Sequence, residues 1–414
     1  MDADPKATVL NPEDESPSRR QGIGLCLSGG GFRATLFHLG AIRRLFELGI
    51  TARPDFKTVA SVSGGSLTAA QWAIGAVNAQ ANGRALDFQT DIASRLHAVT
   101  AMDIRSGAMA KKYLLPWNWF RGQVAVESMI SRFESLFPFQ GRTLADLPET
   151  PLFVLCGADM AFGKNFVFER TRVGSYRAGY APPTHFTLAQ AVAASACFPP
   201  LFGPLRIEGA ADLFKGGSGP PAEERRKILA DLRVTDGGVY DNLGLEPVWK
   251  KHRVVLVSDA GGLMDAEADK NLIWRIQRYQ SIQEAQARAT RKRLLFAGLT
   301  QKDAAMRGAY IGVGGSFEKY AGAVSGGYSK KFATEVIANI RTDLDAFSDV
   351  ERGVLENHGY ALMDAAIRTH VPELLGSPAA FVLPFPALAP PAIAEEELRR
   401  RLFGSEKRKL TGRG

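Results

Sequence analysis

Residues 23–35 have the sequence Ile-Gly-Leu-Cys-Leu-Ser-Gly-Gly-Gly-Phe-Arg-Ala-Thr, the most informative stretch of the chain for its fold. A short, wholly apolar run ends in three glycines, which is typical of a strand buried on both faces of a parallel sheet. Apolar residues then recur near helical spacing as far as Leu48, and Gly49 supplies a stop. The stretch therefore predicts a strand, a glycine turn and a helix in immediate succession.

The same order is repeated further along the chain. Alternating strand and helix patterns occur at 58–62, 67–77, 152–156, 253–257, 272–295 and 332–347. Strands that alternate with helices predict an α/β fold with a mainly parallel central sheet and helices on both faces.

Composition divides the chain into three parts. Residues 1–20 are polar and rich in Pro, Ser and acidic side chains, which predicts a disordered segment. Residues 21–383 carry the predicted strands and helices and are expected to form one domain. Residues 384–414 are predicted to form a Pro-rich spacer and a basic tail.

The chain carries 51 basic and 43 acidic residues, a formal net charge of +8. The cations cluster at 288–293 and in the last sixteen residues. Two interpretations of these clusters stay open. They bind a polyanion, such as an anionic membrane, or they are a solvated tail and the cationic end of a helix. Zinc-finger, RNA-recognition and helix-turn-helix signatures are all missing, so no nucleic acid is expected as a partner.

The remaining composition indicates a cytoplasmic protein. The three cysteines lie far apart, forming neither a disulfide framework nor a metal-binding motif, so no metal or other cofactor is expected. No apolar run reaches membrane-spanning length, and the first twenty residues lack the apolar core of a secretory signal. The aromatic cluster at 117–120 follows two lysines, which suits either peripheral contact with a membrane or a packed cap.

Three glycines at 29–31 come between the first strand and its helix. They allow backbone N–H groups to point at one ligand, and a helix N-terminus adds partial positive charge. Such a site binds an anion, either a phosphate or the oxyanion of an acyl-transfer intermediate. The sequences of the Walker loop and of the dinucleotide fingerprint are both missing.

Two further turns carry candidate reactive groups. Ser63, in Ser-Val-Ser-Gly-Gly-Ser at 61–66, stands at a strand-to-helix turn like that of a nucleophile elbow, although the same pattern suits a helix-capping turn. Asp236 ends a predicted strand before two glycines, a position suited to a general base or to an ordinary Asp-Gly turn. Asp259 is a competing carboxylate at the end of the next strand.

These motifs together resemble the patatin-like phospholipase family, which includes the cytosolic calcium-dependent phospholipases. Four blocks appear in the family's order: Ser-Gly-Gly-Gly-Phe-Arg-Ala at 28–34, Ser-Val-Ser-Gly-Gly at 61–65, Ala-Ser-Ala-Cys-Phe-Pro at 194–199 and Asp-Gly-Gly at 236–238. Ser61 and Ala34 depart from the family, which usually has glycine at the first position and often at the second.

The resemblance implies that residues 21–383 form a patatin-like acyl hydrolase domain, acting as a phospholipase A or lysophospholipase on phospholipids or other acyl-ester lipids. Ser63 would be the nucleophile and Asp236 the base of a catalytic dyad, and Arg33 would bind a substrate phosphate or help form the oxyanion hole. Three consecutive glycines would supply the N–H groups of that hole: Gly29, Gly30 and Gly31.

Other mechanisms and functions stay open at this point. A Ser-Asp-His triad would need a histidine after Asp236, and chain order leaves His252, His358 and His370. None of the three lies in a recognisable motif, which favours the dyad. The alternative functions are a soluble carboxylesterase or thioesterase and a non-catalytic module that binds a membrane or a protein partner. Nothing in the sequence indicates an oligomeric state.

Overall fold

The computed structural model describes residues 20–113, 123–199, 202–262, 264, 266, 268–301, 306–320, 326–376 and 380–407. The predicted disordered segment, except Arg20, lies outside the described residues, as do the aromatic cluster at 117–120 and the basic end of the tail at 408–414.

Within these ranges, ten strands form one sheet. They are β1 (Ile23–Leu27), β2 (Phe56–Val62), β3 (Leu152–Asp159), β4 (Lys164–Glu169), β5 (Val173–Ser175), β6 (Gly179–Ala181), β7 (Leu205–Arg206), β8 (Arg233–Asp236), β9 (Val254–Asp259) and β10 (Arg307–Gly312). Their order is β10-β9-β1-β2-β3-β4-β5-β6, with β8 also paired to β3 and β7 to β8.

The α-helices of the described residues connect and cover these strands. They are α1 (Gly31–Glu47), α2 (Gly64–Ala81), α3 (Ser94–Thr100), α4 (Arg105–Tyr113), α5 (Val124–Leu136), α6 (Leu188–Ala196), α7 (Ala210–Leu213), α8 (Ala222–Leu229), α9 (Gly238–Asp241), α10 (Leu272–Thr300), α11 (Lys330–Glu335), α12 (Asp349–His370) and α13 (Glu395–Arg401).

The predicted α/β class is confirmed, and the sheet is mixed. Strands β10, β9, β1, β2 and β3 are parallel, whereas β3 to β6 and the β7–β8 pair are antiparallel. A parallel connection needs a crossover of about a dozen residues or more. Only the turn at 160–163 joins β3 to β4, so the chain must reverse direction there.

Helices cover both faces of the sheet, as predicted. In β1, Leu25 belongs to the larger core cluster, which includes side chains of α1, α2 and α12, whereas Cys26 belongs to a smaller cluster on the opposite face. Leu295 of α10 and the segment 243–248 complete that smaller cluster. This alternation explains why β1 is apolar at every position.

The predicted spacer and tail pack against the domain as far as the structure describes them. Leu398 and Leu402, one turn apart at the end of the chain, are buried in the larger core cluster. Glu395 accepts hydrogen bonds from the N–H and the hydroxyl of Ser329. The basic side chains of 399–401 therefore lie on a helix that packs against the domain.

Within the described ranges, none of the helices has the length and hydropathy that a bilayer span requires.

Candidate active site

Strand register brings the predicted nucleophile and base to the same edge of the sheet. Val62 at the end of β2 pairs with Cys156 of β3, and the next residue of β3, Gly157, pairs with Asp236 of β8. Asp236 therefore reaches the edge level with Ser63, although β8 runs antiparallel to β3. The glycine loop after β1 ends at this edge as well, because β1 and β2 are parallel neighbours.

Ser63 occupies a sharp turn directly before α2. Its backbone is in the left-handed region, with φ 50° and ψ −119°, a conformation that costs free energy in a non-glycine residue. The turn also presses Gly64 against the carbonyl oxygen of Gly31, and a Cβ at Gly64 would overlap that oxygen. Strain and close approach of this kind are features of a nucleophile elbow.

A group of buried serine hydroxyls forms hydrogen bonds that support this turn. Ser195 accepts a hydrogen bond from the N–H of Ser63 at 3.0 Å and donates one to the carbonyl of Cys156 at 2.7 Å. Its hydroxyl also lies 2.9 Å from that of Ser66, which donates to Ser61 at 3.0 Å. Ser61, which stands where the family usually has glycine, is thus a hydrogen-bond partner here. The Ala-Ser-x-x-x-Pro block marked Ser195 in the sequence, but its supporting role was not predicted.

The three glycines at 29–31 differ in what their backbone N–H groups contact. The N–H of Gly29 donates to the carbonyl of Asn242 at 3.0 Å, so it is not directed at a substrate. Within the described ranges, the N–H groups of Gly30 and Gly31 have no hydrogen-bond acceptor, and both residues line the cavity beside Ser63. Gly31 begins α1 with φ 56°, where a Cβ would lie 2.5 Å from the carbonyl oxygen of Asp343. Of the three glycines predicted to donate, Gly30 and Gly31 therefore keep N–H groups without another acceptor beside Ser63 among the described residues.

The structure places the predicted substrate-binding residue Arg33 inside the protein, away from the cavity lining. The side chain is buried, and its guanidinium donates to the carbonyl oxygens of Ala260, Ala338 and Ile340 at 2.7–3.3 Å. It does not line the cavity beside Ser63. Burial lowers the pKa of Arg33 to about 10, so the group stays cationic near neutral pH. Arg33 therefore holds the segments that surround the glycine loop.

Asp236 is almost completely buried. Its Oδ1 accepts the N–H of Gly238 at 2.7 Å, whereas its Oδ2 is buried with no well-aligned hydrogen-bond donor among the described residues. Burial raises the pKa of Asp236 to about 7, against the opposing effects of the Gly238 N–H and the nearby Ser63 hydroxyl, while the charge of Glu284 raises it further. A carboxylate with this pKa can accept and return a proton near neutral pH.

A cavity of about 350 Å³ lies above these groups. Its lining combines the loops at the sheet edge with side chains of α10 and of the segment 342–344: Gly30, Gly31, Ser63, Ala196, Phe198, Phe202, Asp236, Asn242, Gly262, Met264, Arg278, Ser281, Glu284, Ala285, Arg288, Thr342, Asp343 and Leu344. Apolar and charged side chains share this lining, so the cavity suits an amphiphilic ligand.

The competing carboxylate, Asp259, has other partners. Lys292 lies 2.6 Å from it, and the hydroxyl of Tyr310 and the N–H of Gly261 also donate to it. Although burial by itself would raise its pKa, the charges of Lys292 and Arg288 hold the pKa of Asp259 below its usual value. Asp259 therefore belongs to a structural ion pair with Lys292 and does not line the cavity.

None of the six histidines lines this cavity. His252 precedes β9, at the opposite end of the sheet, and its Nδ1 lies 3.0 Å from the carbonyl of Val248. His358 is buried within α12, where its Nε2 lies 2.9 Å from the carbonyl of Val313. His370 ends α12 and is exposed. The arrangement offers Ser63 a carboxylate and no imidazole.

Comparisons with known proteins agree with the four sequence blocks. The profile of the family described as patatin-like phospholipase matches residues 25–249, more than half of the chain. Among solved structures, human GIVD cytosolic phospholipase A2 is similar with a TM-score of 0.47 and 12% sequence identity; the match covers 85% of this chain and 61% of that one. No curated protein matches the chain in sequence. On the strength of the profile match, the chain belongs to the patatin-like phospholipase family.

Proposed function

We propose that the protein is a lipid acyl hydrolase of the phospholipase A or lysophospholipase type, with Ser63 as nucleophile and Asp236 as general base. The observation that carries this proposal is their placement in one cavity, where the elbow exposes Ser63 and burial brings the pKa of Asp236 to about 7. The substrate would be a phospholipid or another acyl-ester lipid.

In the acylation step, Ser63 Oγ attacks the ester carbonyl carbon while its proton passes to Asp236. The tetrahedral intermediate collapses, the ester C–O bond breaks, and the departing alcohol takes the proton from Asp236. The acyl group remains on Ser63. Asp236 then removes a proton from water, the resulting hydroxide attacks the acyl carbonyl, and the fatty acid leaves as the proton returns to Ser63.

The negative charge of each intermediate would be held by the N–H groups of Gly30 and Gly31. These groups lie at the start of α1, and α2 begins directly after Ser63, so the positive ends of two helix dipoles meet at the reacting carbonyl. Loss of one such donor typically reduces kcat by about a hundredfold or more.

Fluorophosphonate labelling tests this assignment. We expect the reagent to modify Ser63 in the parent protein, whereas Ser63→Ala takes up no label and loses at least about 10⁴-fold in turnover of a phospholipid. Labelling of Ser63 should also disappear in Asp236→Asn. Persistence of the label in Asp236→Asn would favour a histidine base, and a folded protein that takes up no label would contradict the proposal.

Substrate comparison separates the two enzymatic alternatives. A lipid acyl hydrolase should prefer micellar to monomeric esters of the same chain length, and a soluble carboxylesterase or thioesterase should not. The non-catalytic alternative predicts binding to liposomes without turnover. We further propose that the enzyme is cytoplasmic and contacts membranes peripherally.

A further inference from the structure

Helix α10 presents a row of exposed apolar side chains. Leu272 is 68% exposed, Ile276 59%, Tyr279 61% and Ile282 41%. Large apolar side chains that are adjacent and exposed mark an interaction surface more often than single ones do. We name these four residues the α10 apolar row.

The α10 apolar row lies on the side of the helix that faces away from the cavity. Its members follow one another at intervals of four, three and three residues, which keeps them on one side of an α-helix. Four of the α10 residues that line the cavity fall on the opposite side, and Arg278, one turn before Ile282, lies at the edge between the two sides; the four are Ser281, Glu284, Ala285 and Arg288. A helix is about 10 Å across with its side chains, so the row lies roughly that far from the cavity wall.

Two further apolar side chains connect the cavity with the protein surface. Phe198 and Met264 both line the cavity and are 39% and 40% exposed. Met264 lies eight residues before the start of α10 at Leu272. The exposed apolar surface therefore includes the rim of the cavity itself, as is needed where an acyl chain enters from an apolar phase.

Basic side chains outnumber acidic ones on α10. The helix carries six basic side chains and one acidic one, Glu284. Arg291 and Lys292 form ion pairs with Asp241 and Asp259 inside the protein. Arg275 and Arg293 are exposed on the outer part of the helix, although Arg275 also pairs with a neighbouring aspartate. Apolar side chains flanked by Arg are typical of a helix that lies in a membrane interface.

We propose that the α10 apolar row docks on a lipid bilayer that contains anionic lipids, with its side chains inserted at the level of the headgroups. Docking would hold the domain on the surface that contains the substrate, with the cavity about one helix diameter from the bilayer. The inference rests on the proposed function for its purpose, but the docking itself requires no turnover.

Vesicle sedimentation tests the proposal with the full chain carrying Ser63→Ala, so that no lipid is consumed. The vesicles contain phosphatidylcholine with or without phosphatidylglycerol. In this background the test variant carries Leu272→Gln, Ile276→Gln and Tyr279→Gln. The matched control carries Val382→Gln and Phe403→Gln, which replace side chains that are 63% and 89% exposed elsewhere on the molecule.

We expect the test variant to lose about a hundredfold in partitioning to the mixed vesicles, while the control partitions like Ser63→Ala alone. Binding should also weaken when phosphatidylglycerol is omitted. Melting curves check that each variant is folded, and Tyr279→Gln alone serves if the triple substitution lowers the melting temperature.

Unchanged vesicle binding by the folded test variant would overturn the proposal, and so would a Ser63→Ala protein that does not bind vesicles. Light scattering that shows a dimer in Ser63→Ala and a monomer in the test variant would assign the row to a second copy of this chain instead. A parent protein that binds vesicles through the row but never hydrolyses lipid would contradict the proposed function and leave the docking inference intact.

Discussion

The N–H of Ser63 lies 3.0 Å from the hydroxyl and 3.1 Å from the carbonyl oxygen of Ser195, so both acceptors of one residue hold the elbow. The same carbonyl lies 3.4 Å from the N–H of Gly237, the residue after Asp236. Ser195 at the end of α6 therefore connects the two loops that carry the proposed dyad, and it offsets part of the backbone strain at Ser63.

Ser195→Ala should reduce kcat by about tenfold and the free energy of unfolding by about 1–3 kcal/mol, because it removes the hydroxyl that supports Ser63 and also leaves the Cys156 carbonyl without this donor. Steady-state kinetics and urea unfolding measure the two effects. Ser135→Ala, on the exposed side of α5, is the matched control and should change stability by less than about 0.5 kcal/mol. An unchanged kcat in Ser195→Ala would exclude a positioning role.

The pH dependence of kcat/KM should report Asp236. A protonated carboxyl cannot accept the Ser63 proton, and burial raises the pKa of Asp236 to about 7. We therefore expect kcat/KM to fall about tenfold for each pH unit below 7 and to level off above it. A soluble ester followed at constant ionic strength provides the profile. Full activity at pH 5 would contradict Asp236 as the base.

Asp236→Asn should stabilise the fold at alkaline pH. Because the folded-state pKa is raised, the folded protein holds this proton more tightly than the unfolded chain. Ionisation of Asp236 therefore lowers the free energy of unfolding of the parent protein. This loss is absent below the pKa of the unfolded chain, near 3.8, grows as the pH rises, and is complete above about 7.

At pH 8 the free energy of unfolding of Asp236→Asn should therefore exceed that of the parent by about 2 kcal/mol or more. At pH 5 the difference between the two proteins should be smaller. Glu208→Gln, at an exposed position, is the control and should show no such trend. A gain that does not change with pH would show that the buried charge is not its source.

Arg33→Met should destabilise the protein without changing its choice of substrate. The substitution leaves the carbonyls of Ala260, Ala338 and Ile340 without their donor, which should cost about 3 kcal/mol or more. Any loss in kcat/KM should then be equal for a phospholipid and for an uncharged ester. A loss confined to the phospholipid would restore the predicted contact with substrate phosphate.

Most of the parallel part of the sheet could be predicted from the sequence, because its signals are local. The apolar run of β1 predicts a buried strand, and the glycines directly after it predict a tight turn. The antiparallel half carries weaker signals. Strands β5 and β6 have three residues each, and β7 has two, too few for a period to be recognised.

Local sequence patterns establish the α/β class, the order of the four motif blocks and the membership of the family. Ser63 and Asp236 could be identified as candidate nucleophile and base from the sequence, because the residues that form each of their turns are adjacent in the chain. The folded chain is needed to show that Gly29 donates to Asn242, that Arg33 donates to three carbonyl groups and that α10 forms one wall of the cavity. These outcomes depend on partners more than 200 residues away, whose approach is set by packing and hydrogen bonding in the assembled fold rather than by local sequence.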